Sequence, residues 1–333
     1  MNSFLKKITA ADGVSGHEAG VRRMIERYLE GNFSYSVDRL GNLIVRSGGY
    51  KADGTSLMLS AHMDEVGLMV TQITERGFLR FEAVGGIDER ILPGKTVRVG
   101  PDGIPGVVGK LAIHLQDKEQ REKVTPIREL YIDIGASDRM QAEKYVRVGD
   151  VAAFTTEGFD LGDKICAKAL DDRVGCEVLL HVLQACPEAN FTAVFTKGEE
   201  IGCFGATAAA AALRPKYAIV LESTTASDND PADPVCEVGK GPVLSFMDRT
   251  AIYDKSFLQR AKDAAEKHGI PYQIKQAVAG GNEAGRIQSA AGGCYVLAVS
   301  LPCRYIHGPH SVAAESDIEA MKRLAAAIVN EWK

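Results

Sequence analysis

Two histidines and several carboxylates stand where buried strands of this sequence run out. His62 and Asp64 follow the apolar run Leu57–Ala61, and Glu199-Glu200 follow Ala193–Thr196. Glu222 follows Ala218–Leu221, and His307 comes shortly after Val296–Leu301. Asp171-Asp172 lie just before a helical stretch, where exposed N–H groups favour a carboxylate. Ligands of open α/β sheets bind beyond the carboxyl ends of the strands, so these positions form one candidate set. Imidazoles and carboxylates without thiolates suit Zn²⁺, Co²⁺ or Mn²⁺ at a catalytic centre. Five such ligands are too many for one catalytic zinc; with one carboxylate shared, they divide between two ions roughly 3.5–4 Å apart.

Each member also has a bland explanation. His62-Met63-Asp64 at a strand end is often structural, Asp171-Asp172 can be a helix N-cap, and Glu222 can cap a neighbouring helix. Glu199-Glu200 can be solvated charge, although Gly202 and Gly205 follow closely. His17, His181 and His268 read as surface or packing residues, while His114 and His310 stay open between the two explanations. The ordered set is more specific than any member.

The elements that must hold these residues follow from periodicity. Residues 3–30 read as helical, with the turn Gly13-Val14-Ser15-Gly16 inside and Val21, Met24, Ile25, Tyr28 and Leu29 on one face. Tyr35–Leu40 and Leu43–Arg46 read as adjacent strands around Gly41-Asn42, and 56–61 as a buried strand. From Lys168 onward helix and strand alternate: helices over 173–186, 205–213, 256–268 and 316–332, strands over 191–196, 217–221, 272–277 and 295–300. That is a doubly wound mixed α/β sheet with helices on both faces, completed by residues 1–66. Between about 68 and 163 the texture changes to short Val/Ile/Thr runs broken by Gly85-Gly86, Pro93-Gly94 and Pro101-Asp102-Gly103, the pattern of a small β-barrel. A short helix over 137–145 interrupts it, and the charged segment 115–128 reads as an exposed loop. We therefore expect a catalytic domain of residues 1–66 and 164–333 with an inserted β-rich domain over 67–163.

Composition narrows the function. Of 333 residues, 39 are Lys or Arg and 44 Asp or Glu, a net charge of −5 that lacks the basic footprint of a nucleic-acid or anionic-membrane binder. Hydrophobic residues at 45% and charged ones at 25% describe a folded globular chain. No apolar run reaches the roughly 18 residues of a membrane span. Met1–Ala10 shows no secretory pattern, and the seven cysteines never form CxxC, so a cytoplasmic protein with reduced thiols is expected.

Four blocks then resemble a known family: Ser60-Ala61-His62-Met63-Asp64-Glu65-Val66-Gly67, Ala169-Leu170-Asp171-Asp172-Arg173-Val174-Gly175, Glu199-Glu200-Ile201-Gly202 and Arg304-Tyr305-Ile306-His307. They are similar to the M42 dinuclear metallo-aminopeptidases, the tetrahedral aminopeptidases, some of which carry the label endoglucanase M. The likeness continues through Gly13-Val14-Ser15-Gly16, Gly106-Val107-Val108-Gly109 and Ile132-Asp133-Ile134-Gly135-Ala136. It implies two divalent ions, zinc or cobalt first and manganese as an alternative. His62 and Glu222 would hold one ion and Glu200 and His307 the other. Asp171 would bridge them, Asp64 would orient His62, and Glu199 would be the general base. A water bridging the ions would attack peptides with a free N-terminus after giving its proton to Glu199. The resemblance further implies a homo-oligomer, with dimers formed through the inserted domain assembling into a dodecamer. Two positions depart from the family: Glu222 stands where Asp is common, and Gly280-Gly281-Asn282-Glu283-Ala284-Gly285 replaces a Thr-Asp-Ala block. The competing readings are a metal-free glycosidase of the endoglucanase type with paired carboxylates, a deacylase of non-peptide amides on the same ions, and a catalytically silent assembly protein.

Overall fold

A computed structural model describes residues 1–51, 57–229, 235–290 and 292–332. Successive side chains of a strand point to opposite faces, and the core divides accordingly. Leu57, Leu59, Ala61, Ala193, Phe195, Ile219, Leu221, Leu297 and Val299 pack on one face against helices Ser3–Ala10, Ala19–Leu29, Leu170–Ala185, Lys255–Lys267 and Glu315–Asn330. Met58, Val194, Val220, Val296 and Ala298 pack on the other against Phe204–Leu213 and Glu283–Ser289.

The sheet these faces belong to has eight strands, in the order Tyr35–Val37, Leu43–Arg46, Thr192–Thr196, Leu57–His62, Tyr217–Thr225, Tyr295–Cys303, Val243–Leu244, Gln273–Ile274. Its four central strands, Thr192–Thr196 to Tyr295–Cys303, are mutually parallel. Antiparallel pairs flank them on both sides. The expected doubly wound mixed sheet is therefore present, with its parallel carboxyl ends side by side.

Gly67–Ile73, Leu79–Val84, Thr96–Val99, Ile104–Gly109, Tyr131–Asp133 and Val151–Phe154 close into a barrel. It has its own core, which includes Leu68, Val70, Phe81, Val97 and Ile132. Closure leaves no open strand edge. A further three-stranded sheet joins Phe159–Leu161, Lys164–Ala167 and Ser311–Ala314.

Several elements differ from the expectation. The segment read as a loop over 115–128 carries a helix at Lys118–Glu122, because Asp117 and Gln120 form a reciprocal capping box that local charge density does not reveal. The strand expected over 272–277 shortens to Gln273–Ile274, whereas 217–221 and 295–300 lengthen to Thr225 and Cys303. Glu222 thus lies inside its strand rather than after it, and His62 is the last residue of Leu57–His62. A helix at Glu283–Ser289 escaped notice; Asn282 caps it by accepting the Ala284 N–H at 2.8 Å. Ser56, expected to open its strand, lies outside the described residues.

Candidate functional site

Strand register brings the first two candidates together. Val220 lies opposite Ser60, so Glu222 and His62 come level on neighbouring strands, on the face shared with Met58 and Val220. His62 Nε2 is 3.4 Å from Glu222 Oε1 and 3.4 Å from Asp171 Oδ1. His307 Nε2 is 3.3 Å from the other oxygen of Asp171 and 3.6 Å from Glu200 Oε2. Asp171 therefore stands between the imidazoles, one oxygen toward each.

The surrounding backbone explains how loops hold such positions. Thr196 pairs with His62 across the sheet, and the chain turns at Gly198 (φ 68°) into Glu199 and Glu200. Asp64 fastens that turn: its carboxylate accepts the N–H groups of Glu199 at 3.0 Å and Glu200 at 3.2 Å. Asp64 Oδ1 also lies 3.4 Å from His62 Nδ1, and Ser15 donates its hydroxyl to Asp64 at 2.6 Å. The neighbouring Asp172 accepts the His62 N–H at 3.1 Å and the Gly175 N–H at 3.0 Å. A Cβ on residue 175 would fall 2.3 Å from that carboxylate, so only glycine fits there.

His307 sits in a left-handed conformation (φ 60°), and its Nδ1 is 3.0 Å from the Gly86 carbonyl beyond barrel strand Leu79–Val84. That contact directs Nε2 toward Asp171 and Glu200. Glu199 Oε1 is 3.4 Å from the Cys203 thiol. Behind the cluster, Thr196 donates to the buried Glu283 carboxyl at 2.5 Å.

The electrostatics are those of a site short of positive charge. Burial pushes the Glu200 carboxyl up to about 8, and the negative charge of Asp171 and Glu199 adds to it. Burial likewise raises Glu199, and raises Glu222 well above the usual carboxylate range. Burial alone would raise Asp171, but its close contacts with the His307 and His62 imidazoles hold it below that range. His307 reaches about 9: burial opposes protonation, and the contact with Asp171 and the charge of Glu200 outweigh it. His62 is also raised, against burial, by Glu222 and its bonds to Asp171 and Asp64.

Donor atoms at the centre lack hydrogen-bond partners. Among the described residues, Asp171 Oδ1 and Glu222 Oε2 are buried without one, while His62 Nδ1 faces Asp64 and leaves Nε2 toward the cluster. Metal-capable atoms of His62, Asp171 and Glu200 lie within 4.8 Å of one another, as do those of His62, Asp172 and Glu222. In the second trio both Asp172 oxygens already accept backbone N–H groups, so Asp171 is the better donor beside His62 and Glu222. Orphaned buried atoms, crowded carboxylates and the N/O donor set all fit divalent cations.

A cleft of about 1130 Å³ opens onto Asp171, Glu199, Glu200, Glu222 and His307. The supports Ser15, Gly86, Thr196 and Glu283 were not singled out as functional by sequence reasoning, whereas Asp172, one of the candidate set, serves as a backbone anchor. Ser15 and Asp172 fall within the blocks that carry the family resemblance. Gly86 gives no signal, since its part depends on a carbonyl and a distant histidine.

Residues 41–324 match the family model described as M42 glutamyl aminopeptidase. A putative aminopeptidase of Acetivibrio thermocellus is 38% identical over 98% of both chains. A lysyl aminopeptidase of Pyrococcus furiosus is 32% identical, covering 99% of this chain and 97% of its own. A TET aminopeptidase from a marine-sediment Thaumarchaeota archaeon superposes with a TM-score of 0.94 at 29% identity, over 99% of this chain and 96% of its own. The Pyrococcus horikoshii TET1 peptidase, described as assembling into a tetrahedron or a large octahedral shell, gives 0.90 at 34% identity over 98% of both chains. This chain belongs to the M42 family of aminopeptidases.

Proposed function

We propose that the chain is a metal-dependent aminopeptidase that releases N-terminal residues from peptides, with two divalent ions as cofactor. One observation carries this reading: the two oxygens of Asp171 face two imidazoles, each accompanied by a second carboxylate. His62, Asp171 and Glu222 would hold one ion, and Asp171, Glu200 and His307 the other. Bound there, such a pair, zinc or cobalt in the first instance, would lower the pKa of water and polarise a peptide carbonyl.

Glu199 then acts as the general base. It lies beside Asp171 and Asp64, burial raises its proton affinity, and Asp64 fixes its backbone. It takes the proton of the attacking water and returns it to the leaving amine. The acidic wall of the cleft accepts the substrate's α-ammonium, which restricts attack to a free N-terminus. Asp64, held by Ser15, orients His62.

We further propose that copies assemble through the barrel, in dimers that build a larger shell. Ile113 and Leu115, 68% and 63% exposed on the segment leaving the barrel, support a contact there. The molar mass in solution, compared with a variant lacking residues 115–128, tests it.

A panel of aminoacyl-p-nitroanilides with Zn²⁺, Co²⁺ or Mn²⁺ tests the activity. Cleavage that EDTA abolishes, together with resistance of N-acetylated substrates, is expected. Deacylation of non-peptide amides without aminoacyl cleavage, or carboxymethylcellulose hydrolysis that survives EDTA, would contradict the reading.

A further inference from the structure

The cleft has a second charged feature, far along the chain from the acidic cluster. Lys275 lines it from the end of the short edge strand Gln273–Ile274, and its residue is only 9% exposed. Its backbone is fixed by the Leu244 carbonyl at 3.0 Å, and its ammonium donates to the Ala279 carbonyl at 2.9 Å. Among the described residues no carboxylate lies within ion-pairing distance of it.

The other charged groups of the lining are accounted for. Asp248 accepts from Thr250 and Ala251 N–H groups and from the Thr250 and Tyr253 hydroxyls. Asp88 pairs with Arg90. Lys95 and His310 sit toward solvent, less buried than Lys275. Lys275 is thus a largely buried ammonium facing the cleft with one carbonyl acceptor and no direct ion pair, its charge met at longer range by Asp248 and Glu222, an arrangement that a carboxylate arriving from outside would complete.

Resting on the aminopeptidase reading above, we propose that Lys275 is a specificity-determining residue that selects substrates whose N-terminal residue is aspartate or glutamate. The cleft is then charge-matched to that residue at both ends. Its free amine meets the acidic, metal-holding end, and its side-chain carboxylate meets Lys275. Family membership leaves the preference open, because both a lysyl and a glutamyl enzyme are among the relatives.

The test is kcat/KM on glutamyl-, aspartyl-, leucyl- and lysyl-p-nitroanilide, substrates with no C-terminal carboxylate to confuse the assignment. The unaltered enzyme is expected to favour glutamyl over leucyl substrate by at least about tenfold. Lys275→Met and Lys275→Gln should each lower that ratio by about 30–100-fold, the range for losing a charge-assisted buried contact, while Lys275→Arg keeps it. No acidic preference in the unaltered enzyme, an equal loss on glutamyl and leucyl substrates, or collapse of the ratio in Lys95→Met instead would overturn the assignment. The first of these needs no variant to fold. Cleavage of none of the four with any metal would mark failure of the aminopeptidase reading itself, and the Lys275 assignment would fall with it.

Discussion

Two buried clusters of charge lie next to one another in this molecule and solve the same problem differently. Glu65 sits three residues past His62 and is paired by the protein itself: Lys168 Nζ lies 2.6 and 2.7 Å from its two oxygens, and Arg173 Nη2 is 3.6 Å away. Arg173 also donates to the Ile8 carbonyl at 2.6 Å, which ties the N-terminal helix to this network. Among the described residues, Asp171, Glu200 and Glu222 make no ion pair with a lysine or arginine. The cations they face are the imidazoles of His62 and His307, and Asp171 Oδ1 and Glu222 Oε2 have no hydrogen-bond partner among those residues. A chain able to place Lys168 against Glu65 could have done the same a few ångströms away. The first cluster is a structural fastening; the second is built to receive positive charge from outside.

The sharpest way to probe the second cluster is Glu199→Gln. Removing the proposed base while leaving the five proposed metal donors intact should lower kcat by about 10²–10⁴-fold, with the metal content of the protein unchanged. Retained turnover, read by steady-state kinetics alongside metal analysis, would remove Glu199 from that role.

The fastening predicts an effect on stability. Lys168→Met removes the nearer of the two cations beside the buried Glu65, leaving Arg173 at 3.6 Å, and should destabilise the fold by about 3 kcal/mol. Chemical denaturation checks this, and a loss as large with the metal-loaded as with the metal-free protein is expected. A loss below about 1 kcal/mol would show that the two clusters do not differ as described.

Acidity should separate the clusters as well. Glu200, up to about 8, and His307, up to about 9, both hold protons in the metal-free fold more tightly than their ordinary values of 4.5 and 6.5. A group raised on folding stabilises below its unfolded pKa and loses that contribution as pH climbs through its folded one. EDTA-treated protein should therefore melt at a progressively lower temperature between pH 6 and 9, by about 5 °C or more. Loaded protein should melt higher and vary less, since cations take the place of the protons. A metal-free melting temperature that rises over this range would contradict the sign.

The smallest effect belongs to a support. Ser15→Ala removes the 2.6 Å hydroxyl contact to Asp64, loosening the carboxylate that holds His62 and the Glu199-Glu200 turn. Zinc affinity should weaken about tenfold, read by competition with a chelating dye, while the melting temperature of the metal-free protein moves little.

These contrasts also mark what was legible in the sequence. Apolar runs ending in His62-Met63-Asp64, Glu199-Glu200, Glu222 and His307 point to strand ends, and the sheet brings those residues together. The alternating short runs after Gly67 announce the barrel. The Asp64–Glu199 link, the Gly86 carbonyl behind His307 and the Thr196–Glu283 bond were not legible, because each joins segments that only the closed fold makes neighbours. The Lys118–Glu122 helix was missed for a local reason: its stability comes from one capping box rather than from an apolar face. Glu222 was expected just after its strand, since polarity at position 222 looks like an ending until pairing with Tyr295–Cys303 carries the strand on to Thr225. Lys275 gave no signal at all, because its burial in the cleft wall without a direct ion pair is a property of the closed fold.

The central claim is that Asp171 is shared by two cations. Zinc content per chain after saturation and gel filtration, compared between the unaltered protein and Asp171→Asn, tests it most directly. The account predicts two ions per chain in the first and fewer than one in the second, with the circular dichroism of the two proteins the same. Two ions retained in Asp171→Asn, or none bound by the unaltered protein, would contradict it.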